Sequence, residues 1–193
     1  MKRRAVFPVL AAAAASAAPP DNQWPTPFAK AFRDSFIEHW KDTREYSLAV
    51  LDAMPPEGYT SKPNPAQMSF GEQMRHHGAA NVVYFNAFGL LPLPEILKTT
   101  RETMNQLVPA DNKAAVRKYV EASFDYVLAV LDKLSERDLT RTHEMWKGAP
   151  PHSGTDIFLR AYTHTAHHRG QAVVYLRVQG IKPPTWKFEP AAG

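Results

Sequence analysis

From about Pro27 to Met54, apolar side chains return near every 3.6 positions: Phe28, Phe32, Phe36, Trp40 and Leu48, with charged residues between them. That spacing lines one face of an α-helix. Pro55-Pro56 stop it, because proline brings no N–H and cannot continue the ladder. Residues 55–68, with Gly58 and prolines at 56, 63 and 65, read as a loop. Ser69 followed three residues later by Glu72 is a capping-box pattern, which opens a second helix reaching to about Phe88. Gly89 and Pro92 close it, and Pro94 to Leu107 predicts a shorter connecting helix. A third long helix starts at Asp111 and keeps its period through Val116, Tyr119, Val120, Phe124, Val127, Leu128, Leu131 and Leu134. Residues 135–152 are polar, end in Pro150-Pro151 and read as loop. Ser153 or Thr155 can cap a fourth helix reaching to Gln179, where Gly180 suits the positive φ that follows a helix end and Pro183-Pro184 prevent continuation. No stretch alternates with period two for long enough to argue for a sheet. The expected fold is all-α: an antiparallel-type four-helix bundle with a short extra helix between helices 2 and 3.

The 193 residues suit one domain with one substantial core, and no fixed-period repeat suggests a solenoid. The first residues stand apart from this pattern. Met1-Lys-Arg-Arg4 is a basic start, Ala5 to Ala14 a short apolar run, and Ala15-Ser16-Ala17 a small-residue cleavage site ahead of Pro19-Pro20. The run is too short to span a bilayer. Residues 1–17 are therefore expected to be a signal peptide and residues 18–193 the mature domain, exported to a periplasmic or secreted location. Arg3-Arg4 also allows the twin-arginine route.

This leader changes the charge argument. The formal charge is +4, from 23 basic and 19 acidic residues. Without Lys2, Arg3 and Arg4 the balance is 20 against 19, or +1. A near-neutral domain carries no basic footprint for nucleic acid or an anionic membrane, so neither is expected as a partner. There are no cysteines. Stability cannot come from disulfides, any metal must be held by nitrogen and oxygen donors, and any thiol chemistry must use a thiol brought in.

The candidate chemistry lies in the histidines. Five of the eight fall in two stretches, Phe70-Gly-Glu-Gln-Met-Arg-His76-His77-Gly-Ala-Ala-Asn81 and His164-Thr-Ala-His167-His168-Arg169-Gly170-Gln171. Residues four apart on a helix lie on one face, so His164 and His168 can aim two imidazoles at one point. Gln171 falls on the same stripe. An isolated His-x-x-x-His pair more often belongs to a solvated or core-satisfied face. A second histidine pair, on a helix able to pack beside the first, turns the reading towards a metal. His76 and His77 differ by about 100° around their helix, so at most one can join. Periodicity does not say which, nor whether His167 replaces His168. Three imidazoles suit a divalent transition metal (Zn, Ni, Fe, Co, Cu) and leave coordination places for water or substrate. Glu72 and Asn81 are candidates for holding imidazoles in the right tautomer. Arg169 is expected in an interhelical salt bridge. His39, His143 and His152 are left out of the site, and Trp40, Tyr84 and Tyr162 are read as core before pocket lining.

These elements resemble a known family. The long first helix, the Met-Pro-Pro-Glu-Gly-Tyr-Thr-Ser-Lys-Pro turn at 54–63, Ser69-Phe70-Gly71-Glu72-Gln73, His76 with Asn81, and His167-His168-Arg169-Gly170-Gln171 followed by Tyr175-Leu176-Arg177 and Gly180-Ile-Lys-Pro-Pro184 are similar to the DinB superfamily. These DinB/YfiT-like metalloenzymes include the bacillithiol and mycothiol S-transferases. The resemblance implies a four-helix bundle, a homodimer, and a divalent metal (Zn, Ni, Fe or Mn) on His76, His164 and His168. It implies a metal-dependent enzyme acting on a small molecule, either a thiol S-transferase or a hydrolase. The alternative is a non-catalytic, stress-related metal-binding helical dimer.

Overall fold

In the computed structural model, which describes residues 23–98, 106 and 108–187, each long helix begins where a polar side chain can take up an otherwise unpaired N–H. Thr26 opens α1 (Pro27–Ala53), its side chain accepting from Ala29 N, with proline in the first turn. Ser69 and Glu72 form the reciprocal capping box of α2 (Phe70–Asn86). Asn112, one residue beyond the expected start, accepts from Ala115 N at the head of α3 (Lys113–Lys133). After a short α4 (Glu136–Thr140), Ser153 opens α5 (Gly154–Val178), the fourth long helix of the sequence pattern. That helix ends as its glycine predicts: Gly180 has φ +73°, and Ile181 N–H donates to the Leu176 carbonyl at 2.9 Å.

The four long helices pack into a bundle. α2 lies against both α3 and α5, and α1 lies against both from the other side. Phe36, Trp40, Phe85, Phe124 and Phe158 form an aromatic centre, with Phe36 and Phe158 4.5 Å apart by centroid and Trp40 and Phe124 5.3 Å apart. Phe28, first of the apolar periodic series, is instead 81% exposed. In that first turn of α1 the core-facing position is taken by its neighbour Ala29, 4% exposed, and Phe28 stands on the solvent side.

One expectation on the connections needs revision. Residues 135–152 are not all loop. α4 has its own capping box, from Ser135 and Asp138, and Thr142–His143 pair antiparallel with His152–Ser153 as β1 and β2. A five-residue helix and two-residue strands are too short to leave a period. Of the segment expected to be a short helix from 94 to 107, the described part holds one 3₁₀ turn, Glu95–Leu97; residues 99–105 and 107 lie outside the described residues. So does the leader expected over residues 1–17. No helix among the described residues is long and apolar enough to cross a membrane.

Gly71 fixes how the chain returns to α3. A Cβ there would overlap the Ala110 carbonyl oxygen, so only glycine lets this backbone lie against the first turn of α2. Arg75 Nη1, one turn on, donates to the Val108 carbonyl at 2.8 Å and ties down the same segment.

Candidate metal centre

The capping box sets the start of α2 and so fixes which way its histidines point. His76 turns towards α5, where His164 and His168 project one above the other. Ring centroids lie 4.2 Å apart for His164 and His168, 4.6 Å for His76 and His168, and 5.2 Å for His76 and His164. One nitrogen from each ring falls within 4.8 Å of the others, a grouping able to hold a metal ion. All three are half-buried. Nε2 of His164 and of His168 stand 3.1 Å apart. Two nitrogens bound to one tetrahedral zinc, each about 2.0–2.1 Å from it, stand about 3.3 Å apart, so the donor set fits the ion in kind and the α5 pair fits it in spacing.

The protonation state fits as well. Burial, reinforced by the neighbouring His76 and His167, lowers His164 to about 4. Burial and then His164, His76 and His167 lower His168 to about 3. Both are therefore neutral near pH 7, the form in which imidazole binds metal. Tyr84 meets His164 edge-on at 5.8 Å and walls one side of the cluster.

The adjacent histidines go elsewhere. His77 is fully buried, set edge-on against Phe124 at 5.5 Å, and neither ring nitrogen has a hydrogen-bond partner among the described residues. Burial holds its pKa well below the usual histidine value. His167 is exposed, its Nε2 2.9 Å from Gln171 Nε2. His143 packs on Phe88 at 4.5 Å with Nε2 3.0 Å from the Asp138 carbonyl, and His152 Nδ1 pairs with Asp156 at 2.8 Å. His39 meets Tyr162 at 6.3 Å.

The expected supporting residues are replaced. Glu72 accepts from Ser69 N at 2.7 Å and serves the helix cap. Asn81 binds Ser123 and Thr165 in the bundle interior. The side chain that reaches an imidazole is Gln73, whose Nε2 donates to His168 Nδ1 at 2.7 Å and also to Gln171 Oε1. Its position three residues before His76, on the same helix stripe, was the available signal. Arg169 makes no salt bridge among the described residues. Its guanidinium carbon lies 4.3 Å over the Trp186 ring and 5.3 Å over Tyr46. The segment after α5 supplies Trp186 and is held to α1 by Tyr46 OH donating to the Pro184 carbonyl at 3.2 Å.

A helical bundle with three imidazoles gathered on two of its long helices is the general class. Residues 39–172 match the DinB superfamily, and the chain belongs to that family. Among solved structures, a DinB-like protein from Bacillus cereus is similar in fold at 21% identity, with a TM-score of 0.66 over 79% of this chain and 95% of that one. A DinB-like protein from Bacillus subtilis is similar at 20% identity, with a TM-score of 0.59 over 79% and 97%. No curated protein matches the sequence.

Proposed function

We propose that His76, His164 and His168 hold one divalent transition metal and that the protein is a metal-dependent enzyme acting on a small molecule, by thiol transfer or by hydrolysis. The observation that carries this reading is the convergence of three imidazoles from two helices, two of them kept neutral by burial. Three protein donors is the number typical of catalytic zinc, where a fourth place is left for water or substrate. A bound divalent ion lowers the pKa of a coordinated water or thiol and so supplies a nucleophile at neutral pH. The chain's own part is to present unprotonated nitrogens from a rigid frame, to fix their spacing through α2 and α5, and to wall the cluster with Tyr84. With no cysteine in the sequence, a thiol nucleophile would arrive as a substrate.

The test is metal stoichiometry of the purified full chain, followed by turnover with Zn, Ni, Mn and Fe across thiol-transfer and ester or amide hydrolysis panels. One metal per chain with turnover supports the enzyme. One metal with no turnover, while an active relative works in the same panels, supports a binding module. No metal in the purified or reconstituted protein ends the reading. Export and a homodimer belong to the same proposal; N-terminal sequencing of the secreted product and sedimentation of the purified protein test them.

A further inference from the structure

Arg169 is a buried cation without an ion pair among the described residues: it is 7% exposed, and Nη1 lacks any hydrogen-bond partner there. The contacts it does make are with aromatic rings, Trp186 at 4.3 Å and Tyr46 at 5.3 Å. Burial acts against its charge, and the groups that act the other way are the phenols of Tyr162 and Tyr46, not a carboxylate. A guanidinium does not give up its proton to escape the interior, and ring faces return only part of the hydration it has lost. The acids on the same stretch of α1 are engaged elsewhere. Asp42 and Glu45 line a hollow of about 240 Å³ that Arg169 does not line, and Glu45 faces Lys187 at 3.6 Å. The buried His77 is an imidazole and supplies no negative charge.

The neighbouring surface of α1 carries unpaired polar groups as well. Thr43 and Ser47 lie one turn apart on α1, and Thr43 shares a face with Tyr46. Both are buried, and neither hydroxyl finds a partner among the described residues, not even the carbonyl one turn back that a helical Ser or Thr commonly uses. α1 packs less closely on α5 than on α3, so these groups gather along the more open seam of the bundle. The segment after α5 covers that seam: Tyr46 OH donates to the Pro184 carbonyl at 3.2 Å, and Trp186 meets Tyr46 edge-on at 5.0 Å. Charge sets what such a place accepts. One fixed positive charge balances a monoanion and not a dianion, hydroxyls donate to oxygen, and a planar carboxylate matches the guanidinium fork. The aromatic rings suit the apolar end of a small acid. We propose that the α1–α5 seam binds a small monocarboxylate, ion-paired to Arg169 and hydrogen-bonded by Thr43 and Ser47 beneath Trp186. This goes beyond the metal reading and does not rest on it, since His168 turns to α2 whereas Arg169 turns to α1.

The experiment titrates the ¹⁵N-labelled full chain with sodium acetate near neutral pH, following the Arg169 side-chain and Trp186 indole resonances by NMR. Acetamide, sodium chloride and sodium sulfate are the comparison probes. Acetate should shift both resonances saturably; acetamide, of the same shape without the charge, should not, and chloride and sulfate should bind more weakly. Arg169→Met, followed through Trp186, should weaken acetate binding about 10–100-fold, as loss of a charge-assisted hydrogen bond does. Thr43→Val, which removes the hydroxyl at nearly constant volume, should weaken it about 2–10-fold. A cooperative melt checks that the variants fold; should Arg169→Met not fold, Arg169→Lys, which keeps the charge without the fork, replaces it and should also bind acetate more weakly than wild type. Shifts that never saturate, acetamide or chloride binding as tightly as acetate, or a loss of less than about tenfold in a folded Arg169→Met overturn the proposal. So does acetate binding that disappears when metal is removed, which would put the anion on the metal. Each of those results leaves the metal reading standing, whereas a purified protein without metal would end that reading and leave acetate binding intact.

Discussion

His76 and His77 share a peptide bond and occupy opposite environments. The step of about 100° between neighbours on a helix sends one ring to the α5 histidines and the other into the aromatic interior. Alanine at 76, 164 or 168 should therefore abolish stoichiometric metal binding, measured by elemental analysis. His77→Ala should keep the metal but cost about 1–3 kcal/mol of stability in a denaturant titration, since it leaves a hole beside Phe124. Equal metal loss in His77→Ala would show that the α2 register is wrong. Spacing alone made the α5 pair legible but left open the choice between neighbours. Spacing does not single out Gln73 as an imidazole partner, because Glu72, one residue away, carries a side chain of similar reach. What separates them is that Glu72 is consumed by the cap and Gln73 points across to α5.

At the scale of an element, α2 is the part on which the site most depends. Its capping box was legible as Ser69-x-x-Glu72, and losing it in Ser69→Ala should cost about 0.5–2 kcal/mol. Gly71→Ala separates propensity from packing. Alanine in a helix is favoured over glycine by about 1 kcal/mol, so an unobstructed site would gain stability. Because a Cβ there overlaps the Ala110 carbonyl, the variant should instead be destabilised by about 1–3 kcal/mol. A raised denaturation midpoint would refute the close approach. The return of residues 108–112 against α2 was not readable in advance: a glycine in a first helical turn carries no mark of the backbone that will pass it.

For the whole molecule, buried imidazoles make stability depend on pH. His164, at about 4, and His168, at about 3, lie below the ordinary histidine value of 6.5, and burial depresses His77 as well. Between 6.5 and about 4 the unfolded chain binds protons that the native protein refuses, so stability rises with pH there and falls on acidification. The metal-free protein should melt progressively lower from pH 7 to pH 5, above the range where carboxylates titrate. An unchanged melting temperature over that interval would contradict the depressed values. Metal acts in the other direction. Zinc at a hundred times its Kd adds about 2.7 kcal/mol by mass action, or roughly 5–10 °C in Tm for a chain of this size. Chelation should reverse that gain and leave a folded bundle on its apolar core.

By itself the sequence determined the all-α class, the ends of the four long helices and the face on which His164 and His168 stand. These follow from local rules: a 3.6-residue period, side chains that cap, prolines and glycines that stop. Only the tertiary structure decided that His76 meets the α5 pair while His77 enters the core, that Arg169 stacks on Trp186 instead of pairing with an acid, and that Gln73 bridges to His168. Each of those depends on where a second segment passes, and residues far apart in sequence carry no local trace of being neighbours in space.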